Sequence, residues 1–572
     1  MPTVADYFLE GVVEQGCEAI FLNPGTDTPP LQEAWARRQR NGLPVPKLVV
    51  CPHEIVAVTA AQGYYVASGK PQIAFVHVDV GTANAAGGLN DARASRIPVL
   101  LCAGLSPSTL DSRIPGSRTK FVNWQQDVPD QAALVRNYAK WIFNVTHAGA
   151  IGPAVDRAFQ IAQSEPEGPV YMSFPREVLM QEIDSAMMLG PQRCLPVKLP
   201  GLSADVARSV AEELARADFP LIITGYGGRT RASREALVEF AEALAVPITE
   251  YRGRFSAPLE HPLHLGFNPE KWVEKADVIL VVDHDVPWVP ADRPLRPGVR
   301  VIHMGPDPIK QEMVIWGFPT DQVLACGLEP GLQSLAQAAR ELSASLAKEE
   351  QQALEARRAK VGGHHEEMFA DLEKGASRKG SNAITPFQIG RALTRLCPEA
   401  NVIEEAVTSG NPFAYGFLPN EEGTYSRNGG TFLGWGLGAS IGAKMAAPEK
   451  TVVTVLGDGS FMFGVPSASL WVSKHYKLPM LILILNNNAY NSVRLASRDS
   501  YPEGVMAETG WVGSELPDLP NFARLAEACG VWGKQVDQPG ELDAVLEEAL
   551  AIVRGGTTAV VEIKIEAANK PL

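Results

Sequence analysis

The 572-residue chain lacks the features that mark several classes of protein. Its seven cysteines have no Cys-x-x-Cys spacing, which argues against a zinc site or a disulfide framework and favours a reducing, cytoplasmic setting. No segment reaches the roughly 18 consecutive apolar residues of a membrane-spanning helix, and no signal peptide is visible. The formal net charge of −14 argues against nucleic acid or an anionic membrane surface as a partner.

The chain is long enough for about three domains, and apolar runs divide it accordingly. Short apolar runs alternate with amphipathic stretches, which indicates βα units around parallel sheets. A Pro-containing stretch at residues 190–201 and a break at residues 379–382 are predicted to separate the domains. We therefore predict an α/β protein with three doubly wound parallel-sheet domains, at residues 1–185, 201–345 and 380–572.

Two apolar runs in the last third of the chain end in polar residues. Residues 451–456 precede Gly457-Asp458-Gly459-Ser460, and residues 479–485 precede three asparagines that include Asn487. Parallel strands end at the same edge of a sheet, where open α/β sheets bind ligands, so we expect Asp458 and Asn487 to lie close together. Their oxygens suit Mg²⁺, and the glycines allow backbone to approach a diphosphate group closely.

This arrangement resembles the thiamin diphosphate (ThDP) motif, in which GDG is followed by NN nearly thirty residues later. Further landmarks are Asn23-Pro24-Gly25-Thr26, then Pro52-His53-Glu54, then the stretch from His77 to Asn84. Together they cover the chain almost end to end and resemble the benzoylformate decarboxylase, acetolactate synthase and benzaldehyde lyase group. The order NPG, a small hydroxyl residue, a glutamate and H-x-x-x-G-T-x-N is similar to that of benzoylformate decarboxylase.

The resemblance implies that the first domain binds the pyrimidine of ThDP and that the third binds its diphosphate with Mg²⁺. Leu433 matches the bulky apolar residue that holds ThDP in a bent form, although a lone leucine would be interpreted as core. Thr431 would accept a hydrogen bond from the pyrimidine amino group through its backbone carbonyl. The metal ligands implied are Asp458, Asn487 and Ala489. The implied cofactor-binding residues are Pro24, Gly25, Asn84, Thr408, Ser409, Thr431, Leu433, Gly457, Asp458, Gly459, Ser460, Asn487, Ala489 and Tyr490.

Glu54 and His77 are the implied proton-transfer residues. Glu54 matches the glutamate that holds N1′ of the aminopyrimidine and favours its imino form; alternatively, it is an acid that stabilises a helix N-terminus. Pro52 suits the first turn of that helix. His77 ends the apolar run 73–76, and a histidine at a strand's carboxyl end transfers protons near neutral pH. The alternative for His77 is a hydrogen-bonded structural histidine.

Thr26 and Gln126 are the implied substrate contacts. Thr26 replaces the serine of benzoylformate decarboxylase and keeps a hydroxyl for a substrate carboxylate; equally, it stabilises the turn after Gly25. Gln126 is in register with the active-site glutamine of benzaldehyde lyase, and an amide there would bind a substrate hydroxyl or carbonyl. The alternative for Gln126 is an exposed polar loop.

The middle domain departs from the benzoylformate decarboxylase pattern. The second active-site histidine of that pattern is missing, because Trp288 or Pro290 occupies its place and His284 is out of register. We therefore expect His284 and His53 to be structural. The turn at residues 225–228 follows a strand but lacks G-x-G-x-x-G, so FAD is not expected.

We expect a ThDP- and Mg²⁺-dependent lyase that cleaves or forms the C–C bond next to a carbonyl. A 2-oxo acid decarboxylase or carboligase is the first choice, with small 2-oxo acids, aldehydes or 2-hydroxy ketones as substrates. The alternatives are acetolactate synthase-like acyl transfer, a 2-hydroxyacyl-CoA lyase, and a non-catalytic subunit of the same fold. Relatives pair the first domain of one subunit with the third of another, which implies a homodimer or homotetramer with shared active sites.

Overall fold

Parallel β-sheets organise the whole chain, whose computed structural model describes residues 1–251, 253–291, 294–376, 383–420 and 423–566. The described residues form two units. The first comprises Met1–Val197, Glu399–Thr408 and the described residues from Asn428 onwards, and the second comprises those of Lys198–Pro398 and Ser409–Arg427. The predicted break at 379–382 and both predicted ends of the third domain, 380 and 572, lie outside the described residues.

The N-terminal sheet of the first unit has the strand order β2-β1-β3-β4-β6-β5, and its strand pairs are parallel. Its central strands are buried along all or nearly all of their length, whereas the edge strands are partly exposed. Apolar and β-branched residues suit such strands because helices cover both faces of a parallel sheet. The strands are β1 (Ala19–Leu22), β2 (Lys47–Val50), β3 (Gln72–Val76), β4 (Val99–Leu105), β5 (Ile142–Asn144) and β6 (Val170–Pro175). The helices are α1 (Val4–Glu14), α2 (Pro29–Arg40), α3 (Glu54–Ser68), α4 (Val78–Ala94), α5 (Val122–Gln125), α6 (Ile151–Gln163) and α7 (Arg176–Leu179).

The sheet of the second unit has the order β11-β10-β9-β7-β8 and is also parallel. Its core joins the buried strands β7 and β9 to the apolar faces of the flanking helices. The strands are β7 (Pro220–Thr224), β8 (Ile248–Glu250), β9 (Val278–Val282), β10 (Arg300–Gly305) and β11 (Gln322–Ala325). The helices of this unit are α8 (Ala204–Arg216), α9 (Arg231–Leu244), α10 (Glu270–Val273), α11 (Leu328–Ser345), α12 (Lys348–Ala376), α13 (Pro386–Leu396) and α14 (Gly410–Gly416).

In the first unit, the strands of the third sheet have the order β12-β14-β15-β17-β16, and neighbouring strands are again parallel. The strands after residue 400 are β12 (Asn401–Glu405), β13 (Thr424–Arg427, in the second unit), β14 (Val452–Gly457), β15 (Leu481–Asn486), β16 (Trp532–Val536) and β17 (Ala559–Lys564). The helices are α15 (Trp435–Ala446), α16 (Asp458–Phe463), α17 (Pro466–His475), α18 (Asn491–Ser500), α19 (Phe522–Ala528) and α20 (Leu542–Arg554). The predicted α/β fold with three parallel sheets is confirmed.

Helices α3 and α15 pack backbone to backbone and join the two sheets of the first unit in one hydrophobic core. A Cβ atom on Gly63 would lie 1.8 Å from the carbonyl oxygen of Ala439. A Cβ atom on Gly442 would lie 1.9 Å from the carbonyl oxygen of Ala60. Since these distances are far below van der Waals contact, only glycine allows the two helices to approach this closely.

Within the described ranges, no helix combines the length and the apolarity needed to cross a membrane.

We expect Gly442→Ala to lower the free energy of unfolding by about 1–3 kcal/mol, because the added methyl group forces the two helices apart. Gly362→Ala in α12 is the matched control, since its Cβ would meet no atom within 4 Å. In that open position an alanine should stabilise the helix by up to about 1 kcal/mol. Urea denaturation of both variants provides the comparison, and an equal effect of the two would contradict the close helix contact.

Candidate active site

His77 lies at the centre of a polar cluster in the N-terminal domain. It follows β3 and precedes α4, and the next residue, Val78, has φ of 34°, which a β-branched residue rarely adopts. The His77 Nδ1 atom is paired with Oδ1 of Asp27. On the other side of the ring, Nε2 lies 2.7 Å from Nε2 of Gln126. The structure therefore brings together two predicted residues, His77 and Gln126, with one that the sequence analysis missed, Asp27.

Two glycines make room for the His77–Asp27 pair. A Cβ atom on Gly25 would lie 2.0 Å from Nδ1 of His77, and one on Gly104 would lie 1.8 Å from Oδ2 of Asp27. Both side chains thus pack directly against backbone, and Asp27 is buried. The predicted residue Gly25 contributes space for this pair.

The surroundings of His77 favour its protonated form. Burial acts to lower the pKa of His77, but the hydrogen bond to Asp27 and the charges of Asp27 and Asp79 outweigh it, so the pKa is raised. With Nδ1–H donated to Asp27, a neutral Nε2 accepts from the amide NH₂ of Gln126, and a protonated Nε2 donates to its carbonyl oxygen. A histidine held in this way can give or take a proton near neutral pH.

Glu54 is the first residue of α3 and is buried. Its Oε2 accepts a hydrogen bond of 3.2 Å from Nδ2 of Asn84 on α4. The helix N-cap is His53, whose Nδ1 accepts from the backbone N–H of Ile55, in agreement with the structural role expected for His53. Pro52 therefore lies before the cap and not in the first turn of the helix, so that detail of the prediction is wrong.

The turn after Gly25 leaves Thr26 and Pro24 exposed. The hydrogen bonds within the turn are made by Thr28, whose Oγ1 accepts from Gly25 N at 3.2 Å and donates to Gly25 O at 2.9 Å. The Thr26 carbonyl accepts from Nη1 of Arg176 at 3.2 Å. The turn-stabilising role considered for Thr26 thus belongs to Thr28.

Asp458 is the centre of a second cluster, at the carboxyl ends of β14 and β15. These strands are neighbours with Gly457 opposite Leu485, as the two apolar runs predict. One carboxylate oxygen, Oδ2, accepts from the backbone N–H of Asn487 at 3.1 Å and of Ala489 at 3.3 Å. The side-chain oxygen of Asn487 accepts from the same Ala489 N–H at 3.0 Å.

The backbone around this cluster is tightly constrained. A Cβ atom on Gly459 would lie 2.4 Å from the ring of Tyr490, and Asn488 has φ of 55°. The Nδ2 atom of Asn491 donates to Oγ1 of Thr408 at 3.4 Å, which brings the end of β12 to the same edge. Asn491 is thus a second residue that the sequence analysis missed. Of the other predicted residues, Ser460 is buried in α16, and Ser409 is buried in the second unit.

The Asp458 carboxylate lacks a compensating charge among these contacts. Burial raises the pKa of Asp458, and the hydrogen bonds from backbone N–H groups lower it only in part. A buried carboxylate next to an amide oxygen suits a hard cation. No group of three or more His, Cys, Asp or Glu side chains that could hold a metal occurs in the described chain. A cation here would therefore need amide, carbonyl and ligand oxygens as well.

Thr431 and Leu433 lie on an irregular segment that leads into α15, with Thr431 exposed and Leu433 partly buried. The backbone N–H of Phe432, between them, donates to Oδ1 of Asp91 on α4 at 3.2 Å. This segment is thereby held against the N-terminal domain. Asp91 is a third residue that the sequence analysis missed.

In the second unit, the glycine-containing turn after β7 is explained by packing. A Cβ atom on Gly228 would lie 1.9 Å from the carbonyl oxygen of Phe255. His284 is buried, its Nε2 lies 2.6 Å from the Tyr251 carbonyl oxygen, and burial lowers its pKa to about 4. His284 thus has structural contacts, as expected. Trp288 is part of the core, and Pro290 is exposed.

We expect Asp27→Asn to lower the pKa of His77, because the variant removes the charge that stabilises the imidazolium. A histidine whose pKa is raised in the folded state stabilises the protein at pH values below its ordinary pKa of 6.5. This contribution is lost as the pH rises through the raised pKa of the folded state. The loss of stability caused by Asp27→Asn should therefore be largest below about pH 6 and shrink at higher pH. NMR titration of the histidine ring protons and urea denaturation at several pH values provide the test. An unchanged His77 titration would rule out the pairing.

Comparison with known proteins identifies relatives along the whole chain. At 25% identity, the chain is similar to benzoylformate decarboxylase of Pseudomonas aeruginosa, over 97% of this chain and 98% of the relative. At 26% identity it is similar to the acetolactate synthase isozyme 3 large subunit of Escherichia coli K12, over 98% and 94%. Its fold matches the solved thiamine diphosphate-dependent 4-hydroxybenzoylformate decarboxylase of Rhodococcus jostii RHA1, with a TM-score of 0.77, 22% identity, and 99% and 100% coverage.

Three domain families match in order along the chain. Residues 2–134 match the thiamine pyrophosphate enzyme N-terminal TPP binding domain, and residues 207–315 match the central domain. Residues 411–563 match the C-terminal TPP binding domain. The chain therefore belongs to the thiamine pyrophosphate (ThDP) enzyme family.

Proposed function

We propose that the protein is a ThDP- and Mg²⁺-dependent lyase that acts on the C–C bond next to a carbonyl, most simply a 2-oxo acid decarboxylase or carboligase. One observation carries the proposal: the chain combines a buried Glu54–Asn84 pair in one cofactor-binding domain with the Asp458–Asn487–Ala489 cluster in the other. The similarity to benzoylformate decarboxylase over nearly the whole chain supports it. The physiological substrates are small 2-oxo acids, aldehydes or 2-hydroxy ketones.

The Asp458 cluster fits a diphosphate-bound Mg²⁺ ion. The buried carboxylate contacts neutral backbone N–H groups, so a cation would supply the missing positive charge. Asp458, the side-chain oxygen of Asn487 and the backbone carbonyl of Ala489 would be the protein ligands. Oxygen ligands of this kind are those Mg²⁺ prefers, with phosphate and water completing its shell. The diphosphate would lie against Gly457, Gly459, Ser460 and Thr408.

The residues of the N-terminal domain would activate the cofactor. ThDP, when bound, supplies a carbon nucleophile and an electron sink for cleavage of the C–C bond. Glu54, oriented by its hydrogen bond from Asn84, would hold N1′ of the pyrimidine. Burial excludes water from this carboxyl group and strengthens the contact.

His77 would move the proton of the substrate carbonyl oxygen, since Asp27 keeps its ring oriented and raises its pKa. Gln126, 2.7 Å from His77, would bind a substrate oxygen and steady Nε2 in either protonation state. The exposed hydroxyl of Thr26 would contact the substrate carboxylate. In this arrangement the His77–Asp27 pair would transfer the proton without the second histidine of the benzoylformate decarboxylase pattern.

Acyl transfer of the acetolactate synthase kind is the second candidate. The contact between Gln126 and His77 favours it, because an amide at that point suits the binding of a second carbonyl compound. The similarity to the acetolactate synthase large subunit also covers nearly the whole chain.

A substrate screen tests the function. The protein with ThDP and Mg²⁺ is given benzoylformate, pyruvate, benzoin and a 2-hydroxyacyl-CoA, and release of CO₂ and aldehyde is measured. We expect ThDP-dependent release from a 2-oxo acid and a loss of about 100-fold or more in Glu54→Gln, because an amide cannot supply the acid–base contact. The control is Glu349→Gln, which changes an exposed glutamate in the first turn of α12.

Each other outcome of the screen selects an alternative. Equal rates for Glu54→Gln and Glu349→Gln would mean that Glu54 only stabilises a helix terminus. Cleavage of benzoin or of the acyl-CoA alone would favour the corresponding lyase, and condensation of two pyruvate molecules would favour acyl transfer. Binding of ThDP without any reaction would indicate a non-catalytic subunit.

We further propose a homodimer or homotetramer in which each site combines the N-terminal domain of one subunit with the C-terminal domain of another. Asp458→Ala should then lose ThDP retention without unfolding, and Glu54→Gln should retain ThDP but be inactive. The two variants can be co-expressed with different tags and the mixed dimers purified. If sites are shared, one site of each mixed dimer combines the unchanged N-terminal domain of the Asp458→Ala subunit with the unchanged C-terminal domain of the Glu54→Gln subunit. We expect about half of the wild-type activity per dimer in that case. Mixed dimers that stay inactive would contradict shared sites.

A further inference from the structure

Segment 428–436 carries Thr431 and Leu433 and has little conformational preference of its own. Four of its nine residues are glycines, it is irregular up to the start of α15, and Gly434 has φ of 97°. Glycine-rich backbone loses much entropy when it is ordered, so other residues must hold such a segment in place. Two buried carboxyl groups, those of Asp91 and Glu405, accept hydrogen bonds from the backbone of this segment.

Asp91 on α4 holds the segment from the N-terminal domain. Its Oδ1 accepts from the backbone N–H of Phe432 at 3.2 Å, and its carboxyl group also accepts from the Asn428 side chain. A Cβ atom on Gly430 would lie 2.0 Å from that Oδ1 atom, so the backbone lies directly on the carboxyl group. Asp91 itself is fully buried.

One face of α4, together with the C-cap residue Ser95, continues this contact. Ser95, four residues after Asp91, accepts from the backbone N–H of Gly429 at 3.0 Å through its Oγ atom. Gly87, four residues before Asp91, faces the ring of Phe432, since a Cβ atom there would lie 2.2 Å from the ring. Residues spaced by three or four lie on one side of a helix, so Asn84 shares this side of α4.

Glu405 holds the other end of the segment from the end of β12. Its Oε1 accepts from the N–H of Gly434 at 2.6 Å, and its Oε2 accepts from the N–H of Gly436 at 2.7 Å. The N–H of Trp435 also contacts this carboxyl group. These donors are the N–H groups of the N-cap residue and of the first two residues of α15, which have no partners inside the helix. Glu405 thus determines where α15 begins and where the residue before Gly434, Leu433, is placed.

Asn428 closes the segment on itself. Its Nδ2 donates to the carbonyl oxygen of Phe432 at 2.9 Å, and its Oδ1 accepts from the N–H of Gly430 at 2.8 Å. Residues 428–432 therefore form a closed turn that rests on Asp91. Thr431 lies between the two anchored residues Gly430 and Phe432.

We propose that Asp91 and Glu405 are positioning residues, which hold segment 428–436 from both sides and so fix the Thr431 carbonyl and the Leu433 side chain toward ThDP. This inference rests on the proposed function. It assigns to both residues an effect on cofactor binding, although neither would touch the cofactor.

The raised pKa values of Asp91 and Glu405 are consistent with this role. Burial raises the pKa of Asp91 to about 8 and that of Glu405 to about 8, and the charge of Asp91 adds to the second shift. The Oδ2 atom of Asp91 has no hydrogen-bond partner among the described residues. Asparagine at position 91 would therefore keep the acceptor for Phe432 without a charge that the wild-type pocket disfavours.

ThDP affinity, measured by calorimetry with Mg²⁺ in excess, is the test. We expect Asp91→Ala to weaken ThDP binding by about tenfold or more, since binding must then also order the segment. Asp91→Asn should restore most of the affinity. The matched control is Asp156→Ala, which removes another buried carboxylate that accepts from a backbone N–H, of Leu189 at 2.7 Å, and from a glutamine amide. That control should lower the unfolding temperature and leave the ThDP affinity within about twofold of wild type.

Wild-type affinity in Asp91→Ala, or an equal loss in Asp91→Ala and Asp156→Ala, would overturn the inference. If Asp91→Ala does not fold, Ser95→Ala takes its place. It removes one hydrogen bond to Gly429 and should weaken ThDP binding several-fold; unchanged affinity would overturn the inference. Failure of the wild-type protein to bind ThDP would instead refute the proposed function.

Discussion

The backbone contact between α3 and α15 is the constraint on which the arrangement of the first unit depends. Glu54 is the first residue of α3, and Leu433 lies two residues before the start of α15. Because Gly63 and Gly442 bring the helices together without intervening side chains, the starting points of both helices are placed relative to one another. A close-packed contact of this kind tolerates little displacement, so it transmits the geometry of one domain to the other.

Buried carboxyl groups are the second theme of this unit. Asp27, Asp91, Glu405 and Asp458 are all buried, and each contacts a different feature of the chain: a histidine, a glycine-rich segment, a helix start or the residues after a strand end. Burying a carboxyl group is costly unless it is paired or hydrogen-bonded. In each of these cases the partners include backbone N–H groups or a histidine. For Asp91, Glu405 and Asp458, burial outweighs the hydrogen bonds, so the pKa values of these three groups are raised.

Backbone strain also occurs next to three of the candidate site residues. Positive φ angles occur at Val78 next to His77, at Val407 next to Thr408 and at Asn488 next to Asn487. A β-branched residue in this conformation is strained by about 1–3 kcal/mol, and only the surrounding structure can maintain it. Such strain at the ends of β3, β12 and β15 is typical of ligand-binding edges.

The sequence by itself determined the fold class and the positions of several buried strands. Strands such as β7 and β9 coincide with apolar, β-branched runs, and the polar residues after β14 and β15 meet as their parallel pairing requires. The short edge strands β5 and β16 were not predicted, because an edge strand is only half buried and has no continuous apolar run.

Only the tertiary structure decided that Asp27 pairs with His77, and that Asp91 and Glu405 hold segment 428–436. Asp27 is 50 residues from His77 along the chain, Asp91 is about 340 residues from Phe432, and Glu405 is about 30 residues from Gly434. No local sequence pattern indicates contacts over such separations. Which side chains meet across them depends on how helices and sheets pack, and packing is a property of the whole core.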